Sequence, residues 1–546
     1  MNTSARKILP LLTAFLLLLS PLAAQESGQE QEQQRSPLEV SRQLQAEELE
    51  VPPPYRDKVE AGGQTIMELT LQDAIRLALL HNLDIAIENF NEELTREQIV
   101  STRGFYDPAL EFSVGWQDAE SPTISDLEAG EGAEVFAQKQ FSYSGRLLQN
   151  LPSGADFSVS YFSNRSDSNS AFQFANPAYR ASFSANFRQP LWRGFRETQT
   201  QRLLKLRNLD LEINDLQFEV QVSLVIQQVQ DRYWELVFAI NNYETRREGM
   251  ALAITQHKNN QKRVNIGVSA PIEITSSRAE VALREQEMIS SEVQIINAQN
   301  RLKQLMSDDP KASIWSLSVY PTDTPRTPEI KMTLNEAVDL ALQNRPELKQ
   351  VESRLEQDAV DQTFFKKELK PQVDLRLSYT SNAAGGGEAS GLGDVFTDAF
   401  SFNFHTWSAF VDVRIPLGNR TMEGNLAQAR IRERQNLSRL KNAQQGIIVE
   451  VRNAFEGLKT QGKRLESARL ARELSEEQLR GENRRFQAGF STNFQVLRFQ
   501  RDLTSAEAQE LRALIDYEQA VTALMRATHQ IIEQSQVSLA RGQDQP

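Results

Sequence analysis

The side chains that most often carry catalysis are few in this chain and lie far apart. Its four histidines, His81, His257, His405 and His529, are widely separated and form no HExxH-type pair. The chain has no cysteine, which excludes thiolate nucleophiles, thiolate zinc sites and disulfides. We find no GxSxG serine motif either. The sequence therefore predicts no enzyme, no metal site and no cofactor, and its net charge of −13 argues against nucleic acid as a partner.

The charged residues with the most regular spacing occur in segments that alternate apolar and polar side chains. Asp374 and Arg376 alternate with Val373, Leu375 and Leu377. Asp412 and Arg414 alternate in the same way with apolar neighbours, and segments 110–117 and 179–190 show the same period of two. This period predicts strands with one apolar and one polar face. The polar face fits a water-filled lumen and the wet side of a soluble sheet equally well.

Two very long helical segments favour the water-filled lumen over the soluble sheet. Residues 196–266 and 420–488 contain no proline, and their apolar residues recur at steps of three and four. About 70 residues at ~1.5 Å each make a rod of ~105 Å, which needs partner helices in a coiled-coil-like array. A shorter helix is predicted to return after Pro271 in one case and after Thr492 in the other.

The same plan occurs twice along the chain. TLQDAIRLAL, which begins at Thr70, is similar to TLNEAVDLAL, which begins at Thr333, and at the same offset Pro108 corresponds to Pro371. Each copy is expected to contain a helix of about 35 residues, a strand hairpin and a long helical hairpin. The sequence therefore predicts an internal tandem repeat, with a first copy over 66–325 and a second copy over 326–540.

The N-terminus predicts export. Arg6 and Lys7 precede an apolar run over 8–22 and the small pair Ala23-Ala24, so residues 1–24 are expected to be a signal peptide. Residues 25–65 are polar and are predicted to be a flexible arm, and 541–546 a tail.

A single chain supplies too few strands to close a pore, so a membrane barrel would require several copies.

These features resemble the TolC-like outer membrane efflux family over nearly the whole chain. The resemblance rests on the paired helix starts, on ELKPQVDL from Glu368, on RQPLWRGF from Arg188, and on PLGNR from Pro416. It implies an α+β membrane protein in which three copies form a 12-stranded outer-membrane β-barrel, with four strands from each. A long periplasmic coiled-coil barrel would continue it. The implied function is an exit duct for an efflux pump or a type I secretion system, and a periplasmic adaptor or scaffold is the alternative.

The resemblance also implies partners and site residues. A periplasmic adaptor and an inner-membrane pump would load the homotrimer, and outer-membrane lipid would surround it. The adaptor would bind the two glycine turns, formed by Gly267, Val268, Ser269, Gly489, Phe490 and Ser491. Gln495 and Arg498 stand where the family often has gate aspartates, and Arg484 or Arg485 are further candidates for a constriction. Asp374, Arg376, Asp412 and Arg414 would line the barrel, while an extra hairpin near 141–163 is expected to extend a loop.

Overall fold

The computed structural model describes residues 49–123, 129, 134–170, 172–328, 330–387 and 391–535. The predicted signal peptide, the predicted arm up to residue 48 and the predicted tail lie outside the described residues. All the elements below lie in one compact unit that begins at Val51.

Helices account for most of the described chain. They are α1 (Tyr55–Ala61), α2 (Leu71–His81), α3 (Leu83–Arg103), α4 (Gln199–Asn265), α5 (Ile272–Leu305), α6 (Leu334–Asn344), α7 (Pro346–Glu368), α8 (Leu392–Ala399), α9 (Arg420–Gln487), α10 (Asn493–Ala527) and α11 (Ile531–Gln534). The strands are β1 (Ile66–Leu69), β2 (Ala109–Pro122), β3 (Val135–Asn150), β4 (Asp156–Ser168), β5 (Ala178–Pro190), β6 (Ser318–Pro321), β7 (Gln372–Gly386) and β8 (Phe404–Arg414).

The first helix of each repeat begins as predicted but is interrupted. The Thr70 hydroxyl accepts a hydrogen bond from the backbone N–H of Asp73, and Thr333 forms a capping box with Glu336. The predicted helix of about 35 residues is wrong in both copies, because it is divided into α2 and α3, and into α6 and α7. The Asn82 side chain caps α3, and Pro346 occupies the first turn of α7, so each second helix starts afresh.

The prediction of two very long helices is confirmed. Helix α4 has 67 residues and α9 has 68, and each is followed by a returning helix about half as long. Thr492 caps the second returning helix, α10, by accepting from the N–H of Gln495.

The long helices pack side by side with shorter ones as a ribbon four helices wide. In the half nearest the strands the order is α3, α4, α7, α9, and in the other half it is α5, α4, α10, α9. Buried polar contacts join neighbours, such as the bond of 2.7 Å from Arg202 on α4 to Asp361 on α7. We define the outer faces of α3 and α5 on one side, and of α9 on the other, as the ribbon edges.

Six strands form one antiparallel sheet in the order β2-β3-β4-β5-β7-β8. The expectation that the hairpin near 141–163 extends a loop is therefore wrong, and the sheet has two strands more than the four that each chain was expected to give to the barrel. Strands β3 and β4 bond to each other and to β2 and β5 along most of their length. Their backbone groups are satisfied only inside the sheet, which is why the hairpin does not stand apart from it. Among the described strands, β2 and β8 are the free edges.

A small parallel sheet brings the two ends of the first repeat together, where β1 pairs with β6. Helix α1 packs beside it, and the amide of Gln299 donates to the Tyr55 hydroxyl at 3.1 Å and to Ser318 at 3.1 Å. The prediction that a flexible arm extends to residue 65 is wrong from Tyr55 onwards, because Tyr55 and Val59 are buried and hold this helix in place.

Candidate functional site

The first predicted adaptor turn closes the α4–α5 hairpin. Gly267 has φ of 78°, which only glycine adopts without strain, and the Val268 N–H donates to the Arg263 carbonyl at 2.9 Å. Val268 is 62% exposed. The Ser269 hydroxyl accepts from Arg263 at 3.3 Å and does not cap α5, whose N-cap residue is Pro271.

The second predicted turn has the same geometry at the end of the α9–α10 hairpin. Gly489 has φ of 83°, and the Phe490 N–H donates to the Arg485 carbonyl at 2.8 Å. Phe490 is 79% exposed, and the Ser491 hydroxyl donates to Glu482 instead of capping α10. Both turns thus hold an apolar side chain out into solvent.

The structure brings the two turns together. The guanidinium of Arg263 lies over the Phe486 ring at 4.7 Å, joining the last turn of α4 to that of α9. We define the helix tip as the two turns with their exposed apolar neighbours, Ile266, Val268, Ile272, Phe490 and Phe494. Exposed apolar residues that cluster in this way are typical of binding surfaces.

The two predicted constriction residues lie on the first turns of α10. The Gln495 side chain is partly buried, and Arg498 is exposed, with its nearest carboxylate, Asp502, at 4.0 Å. They are three positions apart and therefore share one face of the helix. Arg484 has no ion pair within the described residues, while Arg485 pairs with Glu482 at 3.4 Å. Their role as a constriction stays a prediction.

Behind the helix tip lies a buried polar network that the sequence did not reveal. The Gln256 amide donates to Asn493 at 2.7 Å and to Asn260 at 3.2 Å, joining α4 to α10. His257 bonds to Ser277 on α5 at 2.8 Å, and burial lowers the pKa of this histidine. The two bonds that join different helices connect residues 237 and 20 positions apart, so no local pattern could have identified them.

The four charged residues predicted on one face of the sheet do share that face. Arg376 pairs with Asp412 at 2.8 Å, and Asp374 lies directly opposite Asp412 across the β7–β8 ladder. Arg188 on β5 extends the row, with carboxylate oxygens of Asp156 at 2.6 Å and of Asp374 at 3.8 Å. This row of charges crosses several strands, and whether it lines a lumen stays a prediction.

The opposite face is apolar and carries a row of aromatic rings. Trp116 on β2 contacts Phe141 at 6.5 Å between centroids, and Tyr143 contacts Tyr161 at 6.0 Å. Helix α8 lies on the same face, where Phe400 stacks on Tyr161 at 5.9 Å. Trp116 and, on β8, Trp407 are 67% and 72% exposed. A row of aromatics beside an exposed apolar band is the pattern of a membrane-facing sheet.

The ribbon edges expose apolar stripes as well. On α3 the stripe consists of Leu83, Ile87, Phe90 and Leu94, and on α5 of Ile289, Val293 and Ile296; α9 exposes Ile431, Val449, Leu470 and Leu474. The α3 and α5 residues are spaced by three and four, which is the spacing of a coiled-coil seam. These stripes lack partners within the described chain.

No group of acidic or histidine residues in the described ranges could hold a metal ion. None of the described helices is long and apolar enough to cross a membrane.

Comparisons with known proteins give the same family resemblance as the sequence. Residues 337–529 match the family model described as outer membrane efflux protein. No curated protein sequence matches the chain. Among solved structures, a membrane protein from Pseudomonas aeruginosa is similar with a TM-score of 0.61 and 17% identity, covering 84% of this chain and 93% of that one.

Two further structures show the same fold. The CmeC outer membrane channel of Campylobacter jejuni has a TM-score of 0.61 and 14% identity, and covers 84% of this chain and 85% of its own. The outer membrane protein VceC of Vibrio cholerae has a TM-score of 0.59 and 15% identity, with 84% and 95% covered. The resemblance seen in the sequence is thus confirmed: the chain has the fold of outer membrane channels, and its residues 337–529 match the outer membrane efflux protein family.

Proposed function

We propose that three copies of this chain form a passive exit duct in the outer membrane. The observation that carries this proposal is the open ribbon. The sheet ends at β2 and β8, and the helices beneath it end at exposed apolar stripes on α3, α5 and α9. A sheet edge cannot face lipid, and apolar stripes of this length cannot stay in water.

Identical copies placed edge to edge would pair the free edges of the sheet and bury the apolar stripes of the helices. Strand β8 of one copy then pairs with β2 of the next, and the α9 stripe packs on the α3 and α5 stripes. This contact is heterologous, so it closes a ring when the rotation fits. Three copies would give twelve helices around a tunnel that continues the barrel into the periplasm.

The helix tip is the docking surface that we propose for a periplasmic adaptor fed by an inner-membrane pump. Val268 and Phe490 supply the exposed apolar anchors, and Gly267 and Gly489 fix their direction. The pump would belong to a tripartite efflux system or to a type I secretion system. The two-faced sheet favours this duct over a periplasmic adaptor, which has no need for an exposed apolar band.

The proposal can be tested through the α3 stripe. Phe90→Asp replaces an apolar side chain of the proposed contact between copies with a carboxylate, which is costly to bury, so the chain should fold but should not assemble. Glu93→Gln, on the same helix but outside the stripe, is the matched control. Outer-membrane extracts should contain particles of about three chain masses for the native chain and the control. A native chain that runs as a soluble monomer would overturn the proposal.

A further inference from the structure

The hairpin formed by β3 and β4 occupies the middle of the sheet rather than its margin. These strands have 16 and 13 residues, whereas crossing a bilayer takes about 9–11 in a tilted strand. Their register is unbroken from Asn150↔Asp156 to Gln138↔Ser168. The hairpin is therefore as long as the strands that flank it.

The turn of this hairpin lies at the end of the sheet from which the long helices start. Arg196 donates its N–H to the Ser153 carbonyl at 3.1 Å, and the Ser153 hydroxyl donates to Gln189 at 3.2 Å. A Cβ at Gly154 would come within 2.3 Å of the Gly194 carbonyl oxygen, so only glycine fits there. Because the turn is held beside the start of α4, the hairpin runs the full height of the sheet.

Both faces of the sheet continue through the hairpin without a change of character. Tyr143 and Tyr161 lie on the apolar face with Trp116, while Ser144 lies on the polar face and bonds to Ser113 at 2.8 Å between hydroxyl oxygens. A strand pair that crossed a membrane in an assembled barrel would need this division.

We propose that the assembled barrel has 18 strands, six from each of three copies, and so is wider than a 12-stranded one. This inference rests on the proposed trimer. With strands about 4.8 Å apart and tilted by about 40°, each strand takes up about 6.3 Å of circumference, which gives about 36 Å between opposite backbones for 18 strands and about 24 Å for 12.

The larger barrel also fits the helices below it. Twelve helices packed about 8–10 Å apart have a perimeter of about 96–120 Å, while 18 strands give about 113 Å and 12 strands only about 75 Å. After about 5 Å of side chain on each side, a lumen about 26 Å wide remains, compared with about 14 Å for 12 strands. The barrel therefore does not limit the size of the molecules that pass, and the helix tip is the part of the duct that selects by size.

The absence of cysteine makes the test direct, because introduced cysteines have no competitors. Ser113 and Ser144 are directly paired across β2 and β3, at a Cα separation suited to a disulfide. In the full-length trimer, Ser113→Cys with Ser144→Cys should form an intrachain disulfide in high yield. Ser113→Cys with Ser142→Cys, one diagonal step away, is the matched control and should form little. A 12-stranded barrel that pairs β2 with β5 would leave the first pair reduced.

A second measurement reads the width of the lumen. Ser182→Cys places a thiol on the polar face of β5, in a cavity of about 620 Å³. A poly(ethylene glycol) maleimide about 20 Å across, added from outside, should label it almost as fast as a small maleimide, because about 26 Å is open. The comparison is a variant that lacks residues 135–168 and so has four strands, in which labelling by the polymer should fall at least tenfold. Trimers without the disulfide and without polymer labelling overturn the strand number alone, whereas loss of the trimer overturns the proposed function.

Discussion

A buried carboxylate that joins three helices gives the sharpest stability prediction. Asp361 on α7 accepts from Arg202 on α4 at 2.7 Å, and its other oxygen accepts from Arg432 on α9 at 3.4 Å. The Asp361 side chain is only 9% exposed and that of Arg202 15%, whereas Arg432 is 53% exposed. The strong link is therefore the one to Arg202, which also lies over the Phe364 ring.

Asp361→Ala should lower the free energy of unfolding by about 3 kcal/mol, because breaking a buried pair leaves the remaining charge uncompensated at a cost of about 3–5 kcal/mol. We take the lower end because Arg202 keeps its ring contact. This corresponds to a change of about 150-fold in the ratio of unfolded to folded protein. Arg432→Ala removes only an exposed partner and should cost less than about 1 kcal/mol.

Urea titration of the detergent-extracted protein, followed by far-ultraviolet circular dichroism, measures both variants on the helical part. Asp361→Asn serves as a control that keeps the shape and part of the hydrogen bonding, and it should fall between the two. If Asp361→Ala proved no more costly than Arg432→Ala, the reasoning from burial would be refuted.

Three further predictions concern the helix tip and the middle of the ribbon. Gly489→Ala should strain the turn by about 1–2 kcal/mol because its positive φ is costly for alanine, and a normal melting curve would contradict this. Phe490→Ala should leave the trimer intact yet weaken capture of the cognate adaptor about 10-fold or more, since a buried phenylalanine contributes about 1.5–3 kcal/mol; unchanged capture on an adaptor-coated surface would exclude it as an anchor. Glu518 borders a cavity of about 530 Å³, and burial raises the pKa of its carboxyl to about 7. Its contribution to stability is present below the unfolded pKa and is lost as the pH rises towards 7, so Glu518→Gln should flatten the pH dependence of melting between about pH 4.5 and 7, and an unchanged profile would contradict the assignment.

Local patterns in the sequence were sufficient to predict the two long helices and where the first helix of each repeat begins. The apolar spacing predicted α4 and α9 to within a few residues, and the threonines at 70 and 333 predicted helix starts because capping depends only on neighbours. The breaks at Asn82 and Pro346 were missed, although a capping asparagine and a first-turn proline are readable signals.

The number of strands in the sheet was harder to predict from the sequence than the helices were. Alternation at Phe141, Tyr143 and Tyr161 indicated strands, but alternation does not say which strands pair. The pairing of β3 with both β2 and β4 depends on contacts that periodicity does not encode. The implied four-strand plan then placed the hairpin outside the barrel. The turn that anchors it beside α4 supports the proposal that the hairpin belongs to the barrel.

The buried polar network behind the helix tip could not be predicted from local sequence patterns either. Gln256 and Asn493 come from different repeats, and neither stands out in its own helix. The exposed tip residues, in contrast, were found because a glycine between a long helix and its return is a strong local signal. The position of the tip was therefore predictable from the sequence, whereas the adaptor that we propose for it rests on the family resemblance.

The central claim, a ring of identical copies around a continuous passage, is tested most directly by imaging the detergent-extracted particle. We predict three-fold symmetric density, with detergent around the sheet and twelve helices around an open axis below it. A particle containing one chain, or one in which the detergent does not encircle the sheet, would contradict the account.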